Sequence, residues 1–259
     1  MALSPGGAMN SGAQWRGRAL LFDLFGTVVH FAARVPAVQT AGAQWRTAMQ
    51  WLQEAAEQEL PQLRFDELLT ALMCVTEEIV RQRPPEYREV PSRERFRRAL
   101  RQLDVDADRA HATAERLSLA HMAHLASLTV LPEGHLRLLQ ELAARYPLGL
   151  VSNFDHGATA RRVLDDHGLS ACFRVIVISD DFGQRKPHHA IFEAALRELG
   201  VSADETLFIG DSLGEDVSGA RNAQLRVAWL NPNGEPVPAD GVQPDYVIRC
   251  LADLMALVD

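Results

Sequence analysis

Arg18-Ala-Leu-Leu-Phe-Asp23 is the stretch on which the fold turns: an apolar run is stopped by a carboxylate, and Gly26 and Thr27 follow at once. An unbroken apolar run of this length, closed by turn-forming residues, reads as a strand buried on both faces and ending in a loop. Working outward, comparable runs appear only after Pro132: Pro147-Leu-Gly-Leu-Val151, Val175-Ile-Val-Ile178, Thr206-Leu-Phe-Ile209 and Leu225-Arg-Val-Ala-Trp229. Helical segments such as Ala190 to Leu199 lie between them. Strand alternating with helix implies a parallel sheet covered on both faces. The strand at Arg18 to Asp23 has no partner nearby in sequence, so it belongs to the same sheet, and the intervening block is an insertion.

That block, from about Phe31 to Leu128, changes rhythm. Trp45, Met49, Leu52 and Ala56 recur at helical spacing, and Pro61 and the Pro84-Pro85 pair interrupt the pattern, so an all-helical insert is expected. The fold expected is a doubly wound, Rossmann-like α/β core with an inserted, mostly α-helical cap. Residues 18–30 and 129–259 form the core, 31–128 the cap, and 1–17, rich in Gly, Ser and Ala, a flexible N-terminal segment.

The chain has 259 residues, 47% hydrophobic and 23% charged, an ordinary globular balance that excludes disorder, collagen-like repeats and coiled-coil rods. A formal charge of -8 argues against a nucleic-acid partner, since a phosphate backbone selects a basic surface. Three cysteines, Cys74, Cys172 and Cys250, form no CxxC and suggest neither disulfides nor zinc, which points to a reducing cytoplasm. No run of 18 uncharged apolar residues occurs, so neither a membrane span nor a signal peptide is read. Of 26 basic residues, 25 are Arg and a single one, Lys186, is Lys.

In an open parallel sheet, ligands bind outside the carboxyl ends of the strands. The first strand ends at Asp23, the second at Ser152-Asn153 and the fourth at Gly210-Asp211, with Asp216 a turn further on; Lys186 follows the third. Clustered carboxylates raise one another's pKa, so a hard divalent cation with oxygen ligands is the expected resident. A carboxylate nucleophile beside such a cation suits phosphoryl transfer, whose demands are positioning and charge neutralisation.

Leu20-Leu-Phe-Asp-Leu-Phe-Gly-Thr-Val28, Val151-Ser-Asn153, Arg185-Lys-Pro187 and Phe208-Ile-Gly-Asp-Ser-Leu-Gly-Glu-Asp216 resemble, in order and spacing, the four motifs of the haloacid dehalogenase-like hydrolases. The resemblance covers roughly Arg18 to His30 and Leu131 to Val258. It implies Asp23 as the nucleophile that forms an aspartyl intermediate, and Thr27, Ser152 and the Asn153 amide as contacts to the transferred group. It implies Lys186 as the charge bridging nucleophile and transferred group. Asp23, Asp211, Asp216 and the carbonyl of Phe25 are implied as ligands of Mg2+. Gly26, Asn153 and His30 are placed about a small anionic substrate.

One position departs from the phosphatases of this family, which carry a second Asp two residues after the nucleophile as general acid and base. Here it is Phe25. A positioned proton donor contributes roughly 10² to 10⁴ in rate, so poor leaving groups would suffer most. The departure resembles the 2-haloacid dehalogenases, which have an aromatic residue there but work without metal and lack the acidic fourth motif. Hydrolysis of a small phosphorylated metabolite is therefore the expectation, with dehalogenation as the alternative and a catalytically idle binding protein as the reading from another class. His30, an imidazole at the exit toward the insert, is a candidate replacement for the missing acid, against the plainer reading of a solvated hinge residue.

Other features have blander readings. Eight Arg face three Glu between Arg81 and Arg101, which could draw an anion to the mouth or simply form a solvated helix face. Asp104, Asp106, Asp108 and Glu115 have calcium-loop spacing, but Arg109 stands where Gly is needed and the residues after it read as helix. Asp155 and His156 either face the substrate or cap the next helix. His121 and His124 read as helix-surface residues. Trp45 and Trp51, with Met49 between, mark an apolar underside that could pack on itself, cover the crevice or meet a second copy of the chain as a homodimer.

Overall fold

The computed structural model describes residues 14–32, 37–40, 43–46 and 49–258. Its strands are β1 (Ala19–Phe22), β2 (His30–Phe31), β3 (Ala37–Thr40), β4 (Ala43–Arg46), β5 (Thr129–Val130), β6 (Leu148–Ser152), β7 (Val175–Ile178), β8 (Thr206–Gly210), β9 (Arg226–Leu230) and β10 (Tyr246–Ile248). Its helices are α1 (Met49–Glu59), α2 (Phe65–Gln82), α3 (Ser92–Gln102), α4 (Ala107–Ser127), α5 (His135–Ala143), α6 (Gly157–Asp166), α7 (Ser179–Phe182), α8 (His189–Leu199), α9 (Ser218–Asn222) and α10 (Leu254–Val258). The main sheet has six strands in the order β10-β9-β8-β1-β6-β7, every pairing parallel. β1 therefore lies between β8 and β6, and the ends of all three open on one edge.

Period-2 alternation explains why these runs are apolar throughout. Leu20 and Phe22 of β1, Leu148 and Leu150 of β6, and Leu207 and Ile209 of β8 join one hydrophobic layer with α5 and α6. Leu21, Val151 and Phe208 point the other way, into a second layer with α8 and α9. Each fully buried Leu or Phe contributes about 1.5–3 kcal/mol by leaving water, so both faces hold the strands in register. A third layer, built from Leu52, Leu68, Phe96, Leu100 and Leu117 among others, belongs to α1–α4 and the loops between them. The antiparallel pair β2 and β5 joins this helical block to the sheet.

Some expectations are corrected and others hold. Trp45 lies in β4, which pairs with β3 antiparallel (Val38↔Trp45), so the insert is not all-helical and the helical spacing begins only at Met49. Val38, Thr40 and Trp45 are strand-favouring residue types, and that local preference prevails. The side chains of Trp45 and Met49, and residues 1–13, lie outside the described residues. Residues 14–17 are not a loose tail: Trp15 is buried beside Tyr146, ring centroids 5.9 Å apart, and its amide donates to the carbonyl of Leu257 at 2.8 Å. The calcium-loop spacing is a helix start, with the Asp106 side chain accepting from the amides of Asp108 and Arg109. His156 caps α6, accepting from Thr159 N–H at 3.3 Å. His121 is buried, 8% exposed, and is not a surface residue. No helix among the described residues is long and apolar enough to cross a membrane.

Candidate active site

Asp23 follows β1 directly, and its amide still donates to Ile209 in β8 at 2.9 Å, so the sheet fixes the base of this carboxylate. The chain then turns tightly, the amides of Val28 and Val29 both donating to Leu24 at 2.9 Å. Gly26 adopts φ +99, and a Cβ there would collide with the Asp211 carboxylate. Glycine is needed at this point on both counts. Thr27, fully buried beside it, directs its hydroxyl at Asp211 Oδ1, a long 3.4 Å.

Asp211 leaves the end of β8, its carbonyl accepting from Trp229 Nε1 at 2.8 Å. The next residues, Leu213–Val217, form a single π-helical turn, a geometry frequent at functional sites. Ser212 starts it, its hydroxyl accepting from Glu215 N–H at 3.2 Å while its own amide donates to Asp216 Oδ2 at 3.0 Å. Asp216 is folded back over Gly210, where a Cβ would fall 2.5 Å from the Asp216 carboxyl carbon.

Lys186 reaches the same point from the loop after α7. Asn153, just past β6, grips its backbone twice: Asn153 Nδ2 donates to Lys186 O at 3.0 Å, and Lys186 N–H donates to Asn153 Oδ1 at 2.7 Å. The Lys186 side chain is 1% exposed. Its Nζ donates to Asp23 Oδ1 at 2.5 Å and pairs ionically with Asp216 Oδ1 at 2.7 Å, the latter outside good hydrogen-bond alignment. Ser152 is fully buried and its hydroxyl has no partner.

Asp23, Asp211 and Asp216 offer oxygens that lie within 4.8 Å of one another. Three carboxylates face one ammonium, and the imbalance shows in their acidity. Burial first, then Asp216 and Asp211, push Asp23 up to about 8 against the pull of Lys186. Asp211 is exposed as a residue, but its carboxyl is tucked under Gly26; that local burial, then Asp216, raise it to about 6. Burial alone would depress Lys186, yet the Asp216 and Asp23 carboxylates outweigh it and hold the ammonium charged. The cluster is short of positive charge, its donors are all hard oxygens, and Asp216 Oδ1 lacks a hydrogen bond. Such a set fits a hard divalent cation.

The wall beside Asp23 is aromatic. Phe25 is stacked between Phe154 (centroids 4.6 Å apart) and Phe31 (5.3 Å), and Met122 and Leu125 of α4 pack on Phe31 and Phe154. Phe31 points into this stack, so His30, its neighbour in β2, faces the other way, with its ring 6.2 Å from that of His135. The structure thus brings Asp23, Phe25, Gly26, Thr27, Ser152, Asn153, Lys186, Asp211 and Asp216 together and leaves His30 on the hinge.

Residues that sequence reasoning missed, together with Asp155, which pairs across the seam rather than capping the next helix, seal the seam between the helical block and the core. Glu89, its side chain 2% exposed, takes Arg185 Nη1 on both carboxylate oxygens at 3.2 Å and accepts from Ser179; Arg185 Nη2 also reaches Glu215 at 3.1 Å. Asp155 pairs with Arg95 of α3 at 2.9 Å and its carbonyl accepts from Ser92 N–H at 2.7 Å. Arg185 stands inside the Arg185-Lys-Pro187 motif, but nothing in sequence separates Glu89 from the other acids of the arginine-rich run.

The family model of the haloacid dehalogenase-like hydrolases matches residues 18–224. The chain belongs to this family. It is accordingly a hydrolase, as the four motifs suggested. The HAD-hydrolase YfnB of Bacillus subtilis (strain 168) is 27% identical over 259 aligned positions, 94% of this chain and 96% of that one. The phosphoglycolate phosphatase of Rhodospirillum rubrum is 41% identical over 143 positions, 52% of this chain and 58% of its own length. Among solved structures, a 2-haloacid dehalogenase from Pseudomonas syringae pv. Tomato DC3000 superposes with a TM-score of 0.68 at 24% identity, covering 92% of this chain and 98% of that one. Magnesium-bound YfnB superposes with a TM-score of 0.60 at 23% identity, over 94% and 99%. At these identities the structural likeness establishes the hydrolase fold, and the chemistry rests on the residues at the strand ends.

Proposed function

We propose that this hydrolase is a magnesium-dependent phosphatase acting on a small, anionic phosphorylated molecule through an aspartyl-phosphate on Asp23. The observation that carries the reading is Lys186 Nζ held between Asp23 and Asp216, with Asp211 completing an oxygen cluster that has more carboxylates than positive charge to match them. Asp23, Asp211, Asp216 and the Phe25 carbonyl would hold Mg2+. When bound, the ion neutralises charge on the carboxylates and on the phosphoryl oxygens.

An Asp23 oxygen attacks phosphorus opposite the leaving oxygen; the new P–O bond forms as the ester P–O bond breaks. Water then attacks phosphorus, phosphate departs and the Asp23 carboxylate is restored. Lys186, Thr27, the unpartnered Ser152 hydroxyl and the Asn153 amide orient the phosphoryl group. Phe25, locked in its aromatic stack, donates no proton, which favours leaving groups able to depart as anions. The helical block 31–128 acts as the cap that excludes water, with 18–30 and 129–259 as the core.

Phe25 also favours a second reading, dehalogenation of 2-haloacids. Against it, an anionic haloacid entering beside three carboxylates without a cation meets repulsion. Phosphate esters, acyl phosphates and 2-haloacids, each assayed with magnesium and with chelator, separate the two. Phosphate release abolished by chelator supports the proposal; halide release indifferent to chelator supports the alternative; neither release on any substrate overturns both.

A further inference from the structure

Arg83 ends α2 at the seam of cap and core. The amide of Tyr87 donates to its carbonyl at 2.5 Å, and the Tyr87 carbonyl in turn accepts from the amide of Arg185 at 2.9 Å, which lays the Arg83–Glu89 loop against the segment that carries Lys186. Among the described residues nothing forms a hydrogen bond or ion pair with the Arg83 side chain, and its Nε is buried without a partner. Among the described residues, every other arginine whose side chain lacks a partner is exposed to solvent. A guanidinium stays protonated at any working pH, so this group cannot shed its charge as a buried lysine would.

The neighbouring acids are already engaged. Glu89 and Glu215 hold Arg185, and Asp155 holds Arg95. These three acids and Arg185 are the charges that act on Arg83; burial and Arg185 work against its charge. Counting Arg83, three arginines face three acids, so net charge across the seam balances while the donors of Arg83 stay unused. A forked, planar donor left free beside a catalytic loop matches an oxyanion in two-point contact. The reacting end of a substrate lies on the core side with Asp23 and Lys186, so what meets a cap residue is the other end.

We propose that Arg83 is a specificity residue that binds an oxyanion, carboxylate or phosphate, carried by the leaving half of the substrate. The inference rests on the reading of the Asp23–Lys186 cluster as the place of reaction. It is tested by binding rather than turnover. The full chain with magnesium is titrated calorimetrically with 3-phosphonopropionate, its carboxylate methyl ester and propane-1,3-bisphosphonate. A charge-assisted contact predicts that the wild type prefers at least one probe anionic at both ends over the ester by about 10- to 100-fold. Arg83→Gln should bind all three like the ester, Arg83→Lys should fall between, and the melting temperature of Arg83→Gln should not drop, since no protein partner is lost. Whichever probe shows the larger preference tells carboxylate from phosphate. Equal binding of all three probes by the wild type, or a preference that survives Arg83→Gln, overturns the inference. Failure of every phosphate ester to turn over while the Arg83-dependent preference persists would instead sink the phosphatase reading alone.

Discussion

Nζ of Lys186 lies 2.5 Å from Oδ1 of Asp23 and 2.7 Å from Oδ1 of Asp216, so one ammonium ties the end of the central strand to the turn after β8. A fully buried ion pair earns little net stability over an apolar substitute, but removing one partner leaves the others stranded. Lys186→Met is expected to lower the unfolding free energy by about 3–5 kcal/mol in metal-free protein and to abolish turnover. Lys186→Arg should not restore activity, because the planar guanidinium is bulkier than the space between two carboxylates held this close. Denaturant unfolding with and without magnesium, beside a phosphate-release assay, checks both points.

Phe25 makes a kinetic prediction. With no donor in its aromatic stack to protonate the departing oxygen, kcat/KM across aryl and alkyl phosphates should fall steeply as the leaving-group pKa rises. Phe25→Asp should flatten that dependence, raising the slow alkyl esters by up to about 10² to 10⁴ relative to the aryl ones. It should also lower stability, because the ring packs on Phe31 and Phe154. A flat dependence in the wild type would mean that another residue supplies the proton.

His121 predicts a slope of stability with pH. Burial first, then Arg95, hold its imidazole down at about 4. The unfolded chain takes up a proton near the ordinary value of about 6.5, the folded chain only near 4, so the unfolded state binds more protons in between. Stability from this residue is complete above 6.5 and is lost as pH falls toward 4, by up to roughly 3 kcal/mol. Asp23 and Asp211, raised in the folded protein, act in the opposite sense over their own range, losing stability as pH rises when no cation is bound. Comparing wild type with His121→Leu across pH 4 to 7 by denaturant unfolding isolates the histidine. Parallel curves for the two proteins would contradict the assignment.

What the sequence made legible follows from how each signal is encoded. β1, β6, β7, β8 and, past the exposed Arg226, β9 are buried on both faces, and such a nearly unbroken apolar run stands out whatever lies around it. The residue that ends such a run is marked in the same stroke, which is why Asp23, Ser152 and Asp211 can be placed at strand ends from the residue pattern alone. β10 escaped because Tyr246-Val-Ile is only three residues long and follows a stretch rich in Pro and Gly. β4 escaped because Trp45 happens to stand at helical spacing from α1, and a local pattern cannot reveal a partner strand.

Contacts across the seam were illegible for a different reason. Glu89 and Arg185 are 96 residues apart, and neither differs in kind from its charged neighbours. His121 and His124 look alike in sequence; only the packing of α4 on α3 and against Phe96 buries the first. Phe31 and Phe154 became part of the site through stacking on Phe25, which no spacing rule encodes.

Magnesium titration of the metal-free protein by calorimetry tests most directly whether the three carboxylates serve one ion. One ion per chain is expected, taken up with proton release near neutral pH, because Asp23 and Asp211 sit at about 8 and about 6 without it. The apparent enthalpy should therefore change with the ionisation enthalpy of the buffer, and Asp211→Asn and Asp216→Asn should each lose most of the affinity. Uptake by Asp211→Asn equal to that of the wild type, with no protons displaced, would contradict the account.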